Sequence, residues 1–315
     1  MYKCKHFLVT GGAGFVGSHI TAKLVSQGHK VIVIDNLSNG CEDNIPGQAE
    51  FIKADLSQEK DFCKLRNLSC DAVFHLAAQS SGALSFKDPL TDLQSHVMAT
   101  YFLLEWSRKN GVKRFLYSSS TTTYGEPLYL PVDENHPQQP KTFYSAGKIA
   151  CEAYIKLFQT MGIETTIFRL PNVYGPCQNL ENKEQGMVSI YLSYILEGRP
   201  IIVKGPLKRF RDFIYVDDVV GAFLMAVDNP VSYGKIYNLA SGKKTTVQEI
   251  LDGLITACGY TDYPIEVRDG TPGDQFGIVC DITLVKKDLG WAQRTSIQDG
   301  LAKTVRFEKR KLIDE

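Results

Sequence analysis

Short apolar, β-branched runs and longer helix-like stretches alternate along the first half of the chain. The runs are HFLVTG, KVIVID (30–35), FIKADL (51–56), AVFHLAA (72–78), RFLYSSS (114–120) and TTIFRL (165–170). Between them lie stretches with helical spacing, including 15–27, 90–109 and 144–161. Runs that are apolar almost throughout fit strands covered on both faces. Strands alternating with helices predict an α/β fold, a doubly wound parallel sheet of Rossmann type. The pattern changes after about residue 171. Pro171, Gly175 and Pro176 punctuate the chain, a polar loop spans 177–186, and a helix-like stretch covers 187–197. A short strand (IIVKG), the segment RDFIYVDDVV and a strand near KIYNLAS follow. The tail reads as one further helix (about 246–258) with short extended pieces. The prediction is a nucleotide-binding domain over 1–171, with a returning segment at about 212–240, and a smaller mixed α/β domain over 172–315. Ligands of open α/β sheets bind at the carboxyl ends of the strands, so the smaller domain is expected to cover that edge.

Composition narrows the partners. Lys and Arg number 35, and so do Asp and Glu, so the net charge is zero. Nucleic-acid and membrane-surface binders need a field of one sign, which this chain lacks. The eight cysteines (Cys4, Cys41, Cys63, Cys70, Cys151, Cys177, Cys258 and Cys280) are scattered, with no CxxC and no Cys/His pair at zinc spacing. No metal site is expected, and the thiols read as reduced residents of a cytoplasm. The opening MYKCKHFLVTGG runs straight into a strand and does not read as a secretory leader. No run of about 18 apolar residues occurs, so no membrane span is expected.

Candidate chemistry begins at the first strand. HFLVT leads into Gly11-Gly12-Ala13-Gly14-Phe15-Val16-Gly17 and then a helix. Glycines there permit a tight turn and let backbone N–H groups approach a pyrophosphate, with the positive end of the helix behind them. No Gly-Lys-Ser/Thr follows, which excludes a P-loop. The second strand ends at Asp35, 18 residues after Gly17. A carboxylate there can accept both hydroxyls of an adenosine ribose and repels a 2′-phosphate, favouring NAD over NADP. Asp55, after the third strand, suits either the adenine amino group or a helix cap before Leu56-Ser57.

Tyr144 and Lys148 are spaced i, i+4 and share a helix face. A nearby ammonium lowers a phenol's pKa, as a general base working near neutrality requires. The hydroxyl run Ser118-Ser119-Ser120-Thr121-Thr122-Thr123 ends the RFLY strand at the carboxyl edge of the sheet. Most of these suit turn formation; Ser120 is the candidate hydrogen-bond donor for catalysis.

With TGGAGFVGSH, VIDNLSNG, ADL, HLAAQ, YSSSTTTYGE, YSAGK, RLPNVYGP, RFRDFIYVDDVV, YNLASG and PGD…LGW in this order, nearly the whole chain resembles the extended short-chain dehydrogenase/reductases. The match is to their NAD-dependent nucleotide-sugar epimerase/dehydratase branch. The resemblance implies that NAD is held by Gly11, Gly14, Phe15, Val16, Gly17, Asp35, Asn36, Asp55, Leu56, Leu76, Ala77, Ala78, Tyr144 and Lys148. It makes Tyr144 the base on the sugar 4-hydroxyl, Lys148 the ligand of the nicotinamide ribose, and Ser120 a donor to the same sugar oxygen. A nucleotide-diphosphate sugar would then meet Ser120, Thr121, Thr122, Asn172, Met187, Val188, Arg211 and Asp274. Lys204, Lys208 and Arg209 read individually as a solvated basic edge.

Within that branch, 4,6-dehydratases carry Asp-Glu where this chain has Thr121-Thr122, and UDP-glucuronate decarboxylases carry Glu at Thr122. Both chemistries are disfavoured, and the hydroxyl-only strand end is most like the UDP-glucose 4-epimerases. The implied activity is nucleotide-sugar 4-epimerisation, on a UDP-hexose, through a 4-keto intermediate. A nucleotide-sugar 4-dehydrogenase stays as the alternative. A non-catalytic NAD-binding regulator would be expected to have lost Tyr144 or Lys148. Three departures stand out. Thr271 replaces an arginine before the PGD motif, with Arg268 as the candidate substitute. His96 replaces an asparagine, and packing is its favoured role. Ile278 takes the pocket-volume position. Relatives pair through helices corresponding to about 90–109 and 144–161, so a homodimer is expected, and both stretches carry surplus apolar positions (Phe102, Leu103, Leu104, Trp106; Tyr154, Ile155, Leu157, Phe158).

Overall fold

The computed structural model describes residues 4–270 and 275–314. Its first half runs β1 (His6–Thr10), α1 (Phe15–Ser26), β2 (Lys30–Asp35), β3 (Glu50–Lys53), β4 (Ala72–His75), α2 (Gly82–Lys87), α3 (Pro89–Leu93), a π turn (Gln94–Met98), α4 (Ala99–Lys109), β5 (Arg114–Ser120), α5 (Phe143–Gln159) and β6 (Glu164–Leu170). The rest comprises β7 (Asn172–Tyr174), α6 (Met187–Leu196), β8 (Ile201–Lys204), β9 (Phe210–Arg211), β10 (Phe213–Tyr215), α7 (Val216–Val227), β11 (Lys235–Asn238), β12 (Thr245–Thr246), α8 (Val247–Cys258), β13 (Ile265–Arg268), α9 (Thr283–Leu289) and α10 (Ile297–Asp314).

Seven strands form one parallel sheet in the order β11-β6-β5-β4-β1-β2-β3. Alternate residues of each strand enter different cores. Phe7, Val9, Phe74, Leu116 and Phe168 pack with Ile20 and Leu24 of α1 and Val219 and Phe223 of α7. Leu8, Val73, Phe115, Tyr117 and Ile167 pack with Leu103 and Leu104 of α4 and Ile155 and Phe158 of α5. Both faces are thus covered, and this is the doubly wound α/β architecture the runs predicted. The strand order reverses between β1 and β4, which opens a crevice at their carboxyl ends. A third core joins Val188, Leu192 and Ile195 of α6, Ile201 and Val203 of β8, Ile250 and Leu254 of α8, and Leu301 and Val305 of α10.

Several elements differ from the sequence expectation. The tail holds three helices, not one. In α10 a stripe at i, i+4 spacing (Ile297, Leu301, Val305) enters the third core, and most of the rest is charged or polar. Gly253 of α8 admits it, since a Cβ there would lie 2.6 Å from Leu301 Cδ1. The helix expected over 90–109 runs from Pro89 to Lys109 with a π turn at Gln94–Met98, and a separate short helix precedes it, divided at Asp88, whose carboxylate accepts the Thr91 N–H at 3.0 Å. Strand β3 stops at Lys53 because Asp55 turns the chain, accepting the Ser57 N–H at 2.9 Å. None of the described helices is long and apolar enough to cross a membrane.

Candidate active site at the carboxyl edge of the sheet

At the end of β1 the chain turns on Gly11 (φ +69°), where a Cβ would sit 2.7 Å from the Ala77 backbone nitrogen. Gly14 caps α1 with no side-chain hydrogen bond, and no acidic residue follows in the first turn. Gly17 lets α1 press on the turn, since a Cβ there would approach Gly11 O to 2.1 Å. The result is a concave backbone cradle with free helix N–H groups, which suits a diphosphate. Asp35 is buried beside it; its carboxylate accepts the N–H groups of Ala13 at 3.1 Å and Leu37 at 2.8 Å. Asn36 is exposed next to it. Leu76, Ala77 and Ala78 continue from β4 across the switch point, and Ala77 N–H donates to Thr10 Oγ1 at 3.3 Å. His75 braces this junction between Thr10 Oγ1 (2.7 Å) and Thr100 Oγ1 (2.9 Å). Burial, followed by the Lys148 charge, pushes its pKa down to about 3, so the bridge is neutral. The cradle, carboxylate and crevice fit a dinucleotide. The Leu56 side chain, by contrast, belongs to the apolar core.

A cavity of about 630 Å³ adjoins the cradle at Phe15 and Val16. One wall is built by β5 and α5. Ser120 ends β5 and caps a single 3₁₀ turn, its Oγ accepting the Thr122 N–H at 3.2 Å and the Thr122 hydroxyl at 2.9 Å. Thr142 and Ser145 form a reciprocal capping box at the start of α5, which fixes where Tyr144 leaves the helix. Ser118, Ser119, Ser120, Thr121, Thr122, Tyr144 and Ser145 all line the cavity. Lys148 lies one turn beyond Tyr144; its Nζ donates to Ser118 O at 2.8 Å and sits 5.8 Å from the Tyr144 ring centroid.

Electrostatics here depart from the sequence expectation. Burial pushes the Tyr144 phenol up to about 12; the Ser120 hydroxyl opposes this and the Asp92 carboxylate adds to it. Burial likewise pushes the Lys148 ammonium down to about 8. The lowering of the phenol expected from Lys148 is not seen in this structure: burial dominates, and the group that pulls the phenol down is Ser120, while the ammonium donates to a backbone carbonyl.

The opposite wall comes from α6, β8, β9 and the loops beside them. Asn172, Met187, Ile190, Tyr191, Tyr194, Arg211, Gln275 and Ile278 line it. Arg211 is buried and donates to Gln275 O at 2.6 Å and Phe210 O at 2.8 Å, with burial and then Arg209 lowering its pKa to about 10. Neighbouring Asp212 accepts from Ser241 N–H, Ser241 Oγ and Gly242 N–H, which anchors the β9–β10 corner that carries Arg211.

Some expected site residues lie elsewhere. Val188 faces the third core, because only positions 187, 190, 191 and 194 of α6 turn toward the cavity. Arg268 does not line the cavity; it is exposed and pairs with Glu266 at 2.9 Å. Arg209, read as part of a solvated edge, is buried in the wall. Asp55 serves the β3 turn. Thr271 and Asp274 lie outside the described residues. Sequence reasoning missed Tyr191 and Gln275. The spacing 187-190-191-194 held a signal for Tyr191, whereas Gln275 is placed by the fold alone.

Residues 7–240 match the NAD dependent epimerase/dehydratase family. A putative UDP-glucose 4-epimerase of Methanocaldococcus jannaschii is 37% identical over 304 residues, which cover 96% of this chain and 98% of that protein. The crystal structure of UDP-glucose 4-epimerase with UDP-glucose from Thermotoga maritima superposes with a TM-score of 0.93 at 35% identity, covering 98% of this chain and 99% of that one. The UDP-glucose 4-epimerase of Thermus thermophilus in complex with NAD gives 0.88 at 32% identity, covering 96% and 99%.

Proposed function

The chain belongs to the NAD dependent epimerase/dehydratase family, and from that premise we propose that it is a nucleotide-sugar 4-epimerase acting on a UDP-hexose. The observation that carries this reading is the composition of one wall of the cavity. Ser120 and Tyr144 line it, Lys148 stands buried behind them on Ser118 O, and the positions after Ser120 are hydroxyls, Thr121 and Thr122. A neutral threonine cannot serve as the acid and base that water elimination needs.

In the proposed reaction the phenolate of Tyr144 takes the proton of the sugar 4-hydroxyl. Ser120 donates a hydrogen bond to the same oxygen as it becomes a carbonyl. Lys148 supports the phenolate with positive charge and reaches toward the cofactor's ribose. NAD, when bound, supplies the reversible hydride acceptor for C4. The keto sugar turns over within the cavity, and Tyr144 returns the proton as C4 is reduced from its other face. Gly11, Gly14 and Gly17 hold the cofactor's diphosphate, with Phe15 and Val16 facing the cavity. Asp35 and Asn36 meet the adenosine ribose, while Leu76 to Ala78 flank the crevice. Asn172 and Arg211 hold the substrate's diphosphate, the guanidinium offering the fork that suits phosphate oxygens.

The decisive experiment is incubation with UDP-glucose and UDP-galactose followed by NMR. The expected result is interconversion with no net NADH. NADH accumulating alongside a keto product would move the assignment to a 4-dehydrogenase, and no new product from any UDP-hexose would overturn the substrate class. Asp35→Ala is expected to reduce the preference for NAD over NADP about 10- to 100-fold, the value of a charge-assisted hydrogen bond and a lost repulsion. Dissociation constants for both cofactors check this, and an unchanged ratio would place the discrimination elsewhere.

The same reading divides the chain at about residue 171, with 212–240 returning to the cofactor-binding part. It places the enzyme in the cytoplasm, consistent with eight free cysteines. It also makes the protein a homodimer. Leu103, Leu104, Ile155 and Phe158 are internal, but Met98, Tyr101, Tyr154, Leu157 and Met161 leave an exposed apolar stripe on α4 and α5 for a second copy.

A further inference from the structure

A buried ionisable pair stands behind the phenol and has no part in the steps above. Asp92 lies in α3, and His96 lies one turn on, in the π turn. Their side chains are 2% and 0% exposed, with Asp92 Oδ1 3.6 Å from His96 Nε2, beyond hydrogen-bond length. Gln79, after β4, donates to Asp92 Oδ1 at 2.9 Å. The imidazole stands edge-on to the Tyr144 ring, with centroids 5.3 Å apart and planes at 77°. Its Cβ and Cγ lie where a Cβ on Gly147 would come within 3.2 and 3.3 Å, so the ring packs directly against α5 beside Tyr144. Neither ring nitrogen makes a hydrogen bond to a described side chain; the Gln79 backbone is the polar group beside the ring. A histidine enclosed this way, with a carboxylate next to it, calls for a reason.

We propose that Asp92 and His96 are positioning residues for Tyr144: the imidazole fixes the plane of the phenol ring, and the carboxylate beside it sets the negative charge that the phenol and the Lys148 ammonium face. The proposal rests on reading Tyr144 as the base. The groups facing the pair are Tyr144 and Lys148 from α5, His75 from β4 and Gln79, while Cys151, Glu152 and Tyr117 lie around Lys148. Lys148 is the cation among them. The Asp92 charge opposes loss of the Tyr144 proton and favours retention of the Lys148 proton. Removing that charge therefore lowers both pKa values, and both limbs of the rate–pH profile move to lower pH.

The test uses Asp92→Asn and His96→Phe. Ionisation of Tyr144 is followed without turnover, as the ultraviolet difference absorbance between each protein and the same protein carrying Tyr144→Phe, read in rapid pH jumps. In Asp92→Asn the phenol is expected to titrate about one pH unit lower. The kcat profile should move with it, a roughly tenfold gain at a fixed pH on the acid limb, with KM little changed. His96→Phe keeps a ring against Gly147 and leaves the Asp92 charge in place, so its phenol is expected to titrate close to the wild-type pH, which separates the charge from the packing. Should Asp92→Asn fail to fold, Asp92→Ser carries the test. A phenol titrating at the wild-type pH in the Asp92 variant overturns the proposal, even where kcat falls. Turnover by Tyr144→Phe alone would remove the base assignment instead, and the difference titration would still decide the role of the pair.

Discussion

Tyr144→Phe is expected to lower kcat by about 10²- to 10⁴-fold, the usual worth of a positioned general base, while NAD binding stays as it was. The substitution removes one oxygen and leaves the ring that packs on His96. Ser120 keeps its hydroxyl, but that hydroxyl accepts from Thr122 and a serine hydroxyl is far too weak an acid to be ionised near neutrality. The glycine cradle lies at the far end of the cofactor from the phenol, so binding should survive. Product formation by NMR and a cofactor titration, run on the same preparation, separate the two effects. Turnover within threefold of the wild type would remove Tyr144 from the mechanism.

The second large effect concerns stability. Glu152, two turns along α5 from Tyr144, and Arg169, on β6, form a fork-to-fork pair with Nε–Oε1 at 3.0 Å and Nη2–Oε2 at 2.7 Å. Both side chains are 3% exposed. Ser119 Oγ donates to Oε1 at 2.5 Å and Gln138 to Oε2 at 3.1 Å, and Arg169 also reaches the Tyr124 hydroxyl at 3.0 Å. This network joins the Tyr144 helix to β5, whose end carries the hydroxyls, and to its neighbour β6. Glu152→Gln keeps the shape and deletes the charge, leaving a guanidinium buried without a counter-ion. Breaking a buried pair in this way costs about 3–5 kcal/mol, and the urea midpoint should fall accordingly. Replacing both partners with leucine should cost less than the sum of the single changes, because no charge is then stranded. A loss under about 1 kcal/mol in Glu152→Gln would mean that water reaches the pair.

The strands and the cofactor cradle were legible in the sequence because both rest on local rules. The apolar runs marked β1, β2, β4, β5 and β6, and glycine spacing marked the turn at Gly11–Gly17. Tyr144, Lys148 and Ser120 were also legible, since helical spacing and a strand end place them. What depends on partners distant in sequence was not. The narrow stripe of α10 has meaning only against α8 and Gly253. Arg209 and Lys208 look alike as letters, yet only Arg209 is buried, curled onto the carbonyl oxygens of Lys204 and Pro206. Val188 adjoins cavity-lining Met187 in sequence but faces the other side of its helix. The phenol's raised pKa is likewise a property of enclosure, which no spacing reports.

The reciprocal cap at Thr142–Ser145 has a consequence for how a ligand is turned over. With the first turn of α5 clamped from both sides, and its later turns tied to the sheet through Glu152, the Tyr144 side chain is carried on a braced helix. On the proposed reading, presenting first one side of a sugar and then the other falls to the ligand, swinging about its diphosphate inside the cavity of about 630 Å³. Sugar preference would then be read from which hexoses can complete the rotation, more than from which can merely enter.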